Sequence, residues 1–271
     1  MQDKTLRLPE EIRSRLKARR FGRKIHCASV TESTNDDAIR RAKEGGEEGE
    51  VFIAERQTAG RGRLGRAWES PPGKNLYLSI LLRPPLRPVE ALPMTLVVAA
   101  SLHEAILPFL PAARRSDLKI KWPNDLYLGD KKLAGILTEM ESDPNRVHWV
   151  VCGIGVDLNA EAEDFSPEVR KIATSVRLAT GGAVDRASVA AEVIDAMERE
   201  YERFLKEGSR PAIRFCEEYS YLKGKKVRAE GPEGKITGAV AGLDPQGFLL
   251  VRGEAGQTVT IRSGDVDVIG D

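Results

Sequence analysis

Gly60-Arg61-Gly62-Arg63-Leu64-Gly65-Arg66-Ala67-Trp68 places three glycines and three arginines within seven residues, shortly after the apolar run Val51-Phe52-Ile53-Ala54. Packing does not explain that composition. Glycine lets a backbone approach a ligand closely, and each guanidinium presents a fixed fork of donors suited to carboxylate or phosphate. The stretch therefore points to an anionic ligand. Two blander readings stand beside it: a solvated surface turn, and an arginine-rich contact to nucleic acid.

The flanks hold the stretch between strands. Residues 51–57 read as one strand, and residues 75–83 as another, with Leu76, Leu78, Ile80 and Leu82 on one face. Upstream, Pro9-Glu10-Glu11 opens a short helix with Ile12 and Leu16 four apart, and residues 24–30 read as a strand. Thr31-Glu32-Ser33-Thr34-Asn35-Asp36-Asp37 is a capping sequence for a helix over 36–44, stopped by Gly45-Gly46. Ser33 and Thr34 suit a cap and a ligand contact equally.

Downstream, residues 92–107 carry a broad apolar helical pattern ended by Pro108 and Pro111, with His103 read as a partly buried packing residue. Lys121-Trp122-Pro123-Asn124-Asp125 is a proline turn between apolar residues, and residues 131–140 and 147–156 read as two further strands. The second ends in Gly153-Ile154-Gly155, small enough for close backbone approach. The acidic segment 160–171 gives no sharp reading. Residues 187–205 form an amphipathic helix on Val189, Val193, Met197 and Tyr201, and 211–219 another. After Gly224 the chain turns to short glycine-broken strands of the size of an SH3-like barrel, appended to a mixed domain of helices and sheet; the expected division is 1–222 and 223–271.

Composition bounds the function. Forty-two basic against forty-one acidic residues in 271 give a net charge of +1, which excludes the uniform positive field of a general nucleic-acid binder and confines any basic function to a patch. Three widely spaced cysteines, Cys27, Cys152 and Cys216, suit neither a disulfide framework nor a zinc site and fit a reducing compartment. The opening Met1-Gln2-Asp3-Lys4 leads into no leader-like apolar region, and the longest apolar run, Leu96-Val97-Val98-Ala99-Ala100, falls far short of the roughly 20 residues a membrane helix needs. The expectation is a cytoplasmic protein with no membrane partner.

Several motifs in order resemble the biotin protein ligases: Ser33-Thr34-Asn35, Gln57 ahead of the Gly60 to Trp68 loop, Lys121-Trp122-Pro123-Asn124-Asp125-Leu126, Lys132-Leu133-Ala134-Gly135-Ile136-Leu137 and Gly153-Ile154-Gly155-Val156. The resemblance implies an α+β fold, a mixed β-sheet packed with helices of the class II synthetase-like kind, plus the SH3-like barrel. It implies a two-step ligase. Biotin and ATP, with Mg²⁺ on the nucleotide, give biotinyl-5′-AMP and pyrophosphate, and a lysine of a biotin carboxyl carrier protein then displaces AMP.

By the same resemblance Ser33, Thr34, Asn35, Gln57, Gly60, Arg61, Gly62, Arg63, Lys132, Gly135, Gly153 and Gly155 face biotin. Arg63, Arg66, Trp68, Asn124, Lys132, Asp157 and Asn159 meet the nucleotide, with Trp68 packing the loop rather than reacting. Arg63, Lys132 and Asp125 carry the chemistry, Asp125 through Mg²⁺ or as acceptor of the lysine proton; no resident metal site is implied. The requirement is physical: a carboxylate brought to a phosphate must be offset by fixed cations, here Arg61, Arg63, Arg66 and Lys132. Where many relatives carry asparagine this chain has Asp157, with Asn159 two residues on. About thirty residues precede Ser33, too few for a three-helix DNA reader, so a ligase without a DNA partner is expected. Relatives also allow a homodimer through sheet edges. The competing readings are a lipoate-protein ligase, disfavoured by the Gly-Arg-Gly-Arg loop, and a nucleic-acid-binding module, disfavoured by charge and the lack of an aromatic strand face.

Overall fold

The computed structural model describes residues 7–231 and 234–269; the opening residues read above for a leader lie outside them. Helices are α1 Leu8–Arg13, α2 Thr34–Lys43, α3 Pro88–Ala91, α4 Met94–Ile106, α5 Pro167–Ile172, α6 Val176–Thr180, α7 Arg186–Glu207 and α8 Arg210–Glu218. Strands are β1 Ile25–Ala28, β2 Val51–Ala54, β3 Leu76–Leu82, β4 Leu118–Lys121, β5 Asp125–Leu128, β6 Lys131–Ser142, β7 Val147–Val156, β8 Lys226–Gly231, β9 Gly234–Leu243, β10 Leu249–Gly253, β11 Thr258–Ile261 and β12 Asp265–Val268.

The first seven strands form one mixed sheet in the order β1-β2-β3-β7-β6-β5-β4, with β1 and β2 parallel and the other pairs antiparallel. Both faces are covered, so β3 is buried throughout. Leu76, Leu78, Ile80 and Leu82 enter the main core with α4 and α7, as their alternation requires. On the other face Phe52, Leu81, Trp149 and Val151 pack beneath Ala38 and Ala42 of α2. The α2 side of β7 then runs from bulky to bare: Trp149 and Val151 lie under the helix, and Gly153 and Gly155 continue the same face beyond it. That change of side-chain size opens the site.

The helix expected over 92–107 is observed as α4, Met94–Ile106, starting two residues later. Pro93 lacks the N–H an interior turn needs and stands as the N-cap of α4, with α3 before it. His103 is fully buried rather than partly so, its Nε2 3.1 Å from the Leu118 carbonyl oxygen. The only segment among the described residues long and apolar enough to cross a membrane, Pro88–Phe109, contains the buried α4.

The last five strands form an antiparallel sheet, β11-β10-β9-β8-β12, whose outer strands do not pair with each other among the described residues. It docks through the Trp122 indole N–H, which donates to the Gly247 carbonyl oxygen at 2.9 Å, and through Glu217, which accepts from the Leu243 amide at 2.8 Å.

Candidate active site

A cavity of about 400 Å³ lies where β7 turns bare. Its walls come from the start of α2, the loop after β2, the end of β4 and its turn, the strands β5 to β7, residues 165–173 around α5, and residues 264–267 at the C-terminal sheet. Among the residues proposed from sequence, Ser33, Thr34, Asn35, Gln57, Arg61, Gly62, Arg63, Arg66, Trp68, Asn124, Asp125, Lys132, Gly135, Gly153, Gly155 and Asp157 line it. They come from segments more than a hundred residues apart.

One side is neutral and polar. Ser33 caps α2, its Oγ accepting from the Asn35 amide at 3.3 Å, which starts the helix at Thr34 rather than Asp36. The Thr34 amide donates to Gln57 Oε1 at 2.9 Å, and Gln57 Nε2 donates to Ser70 Oγ at 3.3 Å. Ser79 Oγ stands 2.7 Å from Thr34 Oγ1 and 2.6 Å from Asn35 Oδ1, and Asn35 Nδ2 donates to Glu139 at 2.6 Å and to the Leu137 carbonyl oxygen at 3.2 Å. The Asn35 amide lies where any side chain on Gly153 would stand.

Two residues further along β7, about 7 Å at the usual rise of a strand, the surface becomes cationic and aromatic. Trp68 lies across the paired glycines Gly135 and Gly155; a Cβ on Gly155 would stand 2.6 Å from Trp68 Cε2. Its buried Nε1 has no partner among the described residues. Lys132 Nζ lies 5.4 Å from the Trp68 ring centre and 2.8 Å from Asp125 Oδ1. Asp125 Oδ1 is buried at this ion pair.

The loop itself is a closed strap. Gly62 N donates to the Arg66 carbonyl oxygen at 2.7 Å and Trp68 N to that of Gly60 at 2.8 Å, with a bridge between Arg61 and Ala67. Leu64 and Gly65 turn at its tip with φ of 57° and 73°. The arginines differ in their partners. Arg61 is engaged by Asp36 and Glu139, and Arg66 by Asp265, whereas Arg63 has no carboxylate within 4 Å among the described residues and meets Asn124 Oδ1 at 3.2 Å. Burial holds the Arg63 guanidinium below its ordinary range, against the nearby charges of Asp125 and Asp265. Of the four expected cations, then, two have carboxylate partners at the loop, Lys132 shares Asp125, and Arg63 faces the cavity unneutralised.

Two proposed residues are not brought to the cavity. Gly60 sits at the base of the strap, its carbonyl taken by Trp68. Asn159 is engaged on both sides by Val184, Nδ2 donating to its carbonyl oxygen and Oδ1 accepting from its amide, each at 2.9 Å. Asp157 does reach the wall. It is 3% exposed and accepts from Asn75 Nδ2 at 2.7 Å, and burial pushes its carboxyl well above the ordinary range against the pull of Lys132.

Other lining residues were not among those proposed from sequence. Lys121 and Tyr127 face each other at 3.3 Å; Phe165 and Val169 come from the unread acidic segment and Ile172 from just past it; Asp265 and Asp267 come from the C-terminal sheet. Among the described residues no cluster of three or more His, Cys, Asp and Glu is arranged to hold a metal ion.

A helix-covered mixed sheet with an amide-lined pocket leading to fixed cations defines an acid-activating ligase site. Residues 27–157 match the Biotin/lipoate A/B protein ligase family, and residues 223–268 match the Biotin protein ligase C terminal domain. The chain is 35% identical over 258 residues to a bifunctional ligase/repressor BirA of Bacillus spizizenii, covering 95% of this chain and 78% of that protein. It is 36% identical over 234 residues to a biotin--[acetyl-CoA-carboxylase] ligase of Paracoccus denitrificans, covering 84% and 94%. The structure of a biotin protein ligase from Aquifex aeolicus in complex with biotin and ATP superposes with a TM-score of 0.76 at 30% identity, covering 92% of this chain and all of that one. The chain belongs to the biotin protein ligase family.

Proposed function

We propose that the cavity activates biotin with ATP and passes it to a carrier lysine. One observation carries the residue assignment: a single cavity joins a neutral hydrogen-bonding pocket at Thr34, Asn35 and Gln57 to the unneutralised Arg63 and to Lys132. The ureido ring of biotin has both donors and acceptors, and the hydroxyl and amide groups at the start of α2 supply complements to each. Its carboxylate, at the end of a flexible apolar tail, then reaches toward Lys132.

In the first step a carboxylate oxygen attacks the α-phosphorus of ATP, an O–P bond forms, and pyrophosphate departs carrying the electron pair of the broken bond. Negative charge grows on the non-bridging oxygens, and Arg63 and Lys132 are the groups set to offset it. Mg²⁺ enters with the nucleotide as part of that substrate. Asn124, fixed by donation from Nδ2 to the Ile136 carbonyl oxygen at 2.9 Å, holds Arg63, and Arg66 and Trp68 close the nucleotide side. In the second step the carrier amine attacks the anhydride carbonyl, AMP leaves, and Asp125 takes the amine proton. The strap over the cavity keeps water from the anhydride meanwhile.

The carrier is of the biotin carboxyl carrier type. Beyond its pairing with β5, β6 over 137–142 pairs only with β7 among the described residues, and that open edge suits a homodimer or an incoming carrier strand. Three free cysteines fit a cytoplasmic setting. The test is transfer: with MgATP, biotin and an apo carrier domain, intact mass should rise by one biotin on one lysine. Lipoate supporting the reaction in place of biotin would reverse the choice of acid.

A further inference from the structure

Arg61 is the one arginine of the strap held at both ends of its fork. Its Nη1 lies 2.6 Å from Asp36 Oδ2 and its Nη2 2.5 Å from Asp36 Oδ1, with Glu139 Oε1 3.5 Å from Nη2. Glu139 Oε2, in turn, accepts from Asn35 Nδ2 at 2.6 Å. Asp36 follows Asn35 on the first turn of α2, so the contacts close a ring: strap to helix, helix to β6, and β6 back to the strap. Neither Asp36 nor Glu139 lines the cavity.

We propose that Asp36 and Glu139 are positioning residues of the ligase reaction, which tether Arg61 so that the strap is closed over the biotin pocket and the Asn35 amide is fixed in one orientation. The inference rests on the biotin-ligase reading of the cavity. It assigns Arg61 a different part from Arg63: its charge is matched by carboxylates, so it serves as an anchor and leaves the phosphate to Arg63 and Lys132. Because the Arg61 bridge to Ala67 and the Gly62 to Arg66 hydrogen bond join the two limbs of the strap, fixing Arg61 fixes Arg63 and Trp68 as well. Glu139 adds a second effect. With Ser79 at Asn35 Oδ1 and Glu139 at Nδ2, both ends of the amide are assigned before biotin arrives. Arg61, Asp36 and Glu139 are each about one-third exposed, so the tether is partly open to water and to salt.

The test is biotin release from the full chain, followed by stopped flow after calorimetric loading, in the unaltered protein and in Asp36→Asn, Glu139→Gln and Asp36→Glu. Asp36→Asn and Glu139→Gln should each speed release by about fivefold, the scale of a partly exposed ion pair. They should also raise KM for biotin while kcat at saturating biotin stays close, with Asp36→Glu recovering part of the loss. Release from the unaltered protein should quicken as salt rises from low to high ionic strength, a measurement independent of how any variant folds. Release rates indifferent both to salt and to the folded substitutions would overturn the proposal alone. An unaltered chain that binds no biotin would instead sink the ligase reading on which it rests.

Discussion

Lys132 and Asp125 stand 2.8 Å apart on neighbouring antiparallel strands, across the register shift that separates Leu126 from Tyr127. The shift lets two side chains that regular pairing would set apart converge on one point of the cavity wall. Lys132→Ala should remove a cation from the developing phosphate charge and lower the rate of adenylation by about a hundredfold or more. Asp125→Asn should slow transfer to the carrier more than adenylation, because it removes the proton acceptor and leaves Lys132 charged. Equal losses in pyrophosphate exchange and in transfer would argue against that division.

Arg63 reaches from the strap to Asn124, and no carboxylate offsets it within 4 Å among the described residues. Arg63→Gly should therefore loosen the cover over the anhydride as well as weaken nucleotide binding. The expected result is free adenylate in solution and indiscriminate labelling of lysines on a bystander protein. Tight retention with unchanged carrier selectivity would show that the strap does not shield the intermediate.

Gly155 has no room for a side chain, since a methyl there would meet the Trp68 indole at 2.6 Å. Gly155→Ala should lift Trp68 from the sheet at a cost of about 1–3 kcal/mol, seen as a lowered melting temperature. KM for biotin and for ATP should rise together, and tryptophan fluorescence should report the displaced ring. A variant with unaltered fluorescence and kinetics would contradict the packing described here.

Glu50 is a buried carboxylate remote from the cavity that ties α2 to the sheet. It accepts from Arg41 at 2.9 and 3.1 Å and from the Glu47 amide at 2.8 Å, and His26 Nε2 lies 2.8 Å away. Burial alone would raise its pKa, but Arg41, the Glu47 amide and His26 together hold it at about 2, below the ordinary 4.5. A lowered folded-state pKa stabilises the fold fully above about 4.5, and that contribution is lost as pH falls toward about 2. Glu50→Gln should cost about 1–3 kcal/mol at neutral pH, and the gap to the unaltered protein in urea unfolding should narrow through that acid window. A gap constant from neutral pH to the acid limit would remove Glu50 from the account.

What could be read from sequence followed the strength of local pattern. The strand 147–156 and the long helix near 187–205 emerge close to their observed limits, because a valine-rich apolar run marks the one and 3.6-residue spacing is sustained through the other. The start of α2 was legible through its capping hydroxyl, although Ser33 sets it two residues before the acids suggest. The neutralisation of Arg61 and Arg66 was not legible, since their partners lie 25 and 199 residues away in the chain. Nor was the contribution of Phe165, Val169 and Ile172, in and just past an acidic stretch with no sustained period, which the short turn Ala162–Asp164 and α5 bring to the cavity wall. Lateral contacts between remote segments leave no local signature.

The central claim is that the amide pocket and the cations Arg63 and Lys132 serve one reaction between biotin and ATP. Exchange of labelled pyrophosphate into ATP tests it most directly, because only a reversible adenylation returns the label. The account predicts exchange that requires both Mg²⁺ and biotin, is unsupported by lipoate, and falls by about a hundredfold in Lys132→Ala. Exchange independent of biotin, or none from folded protein supplied with both substrates, would contradict it.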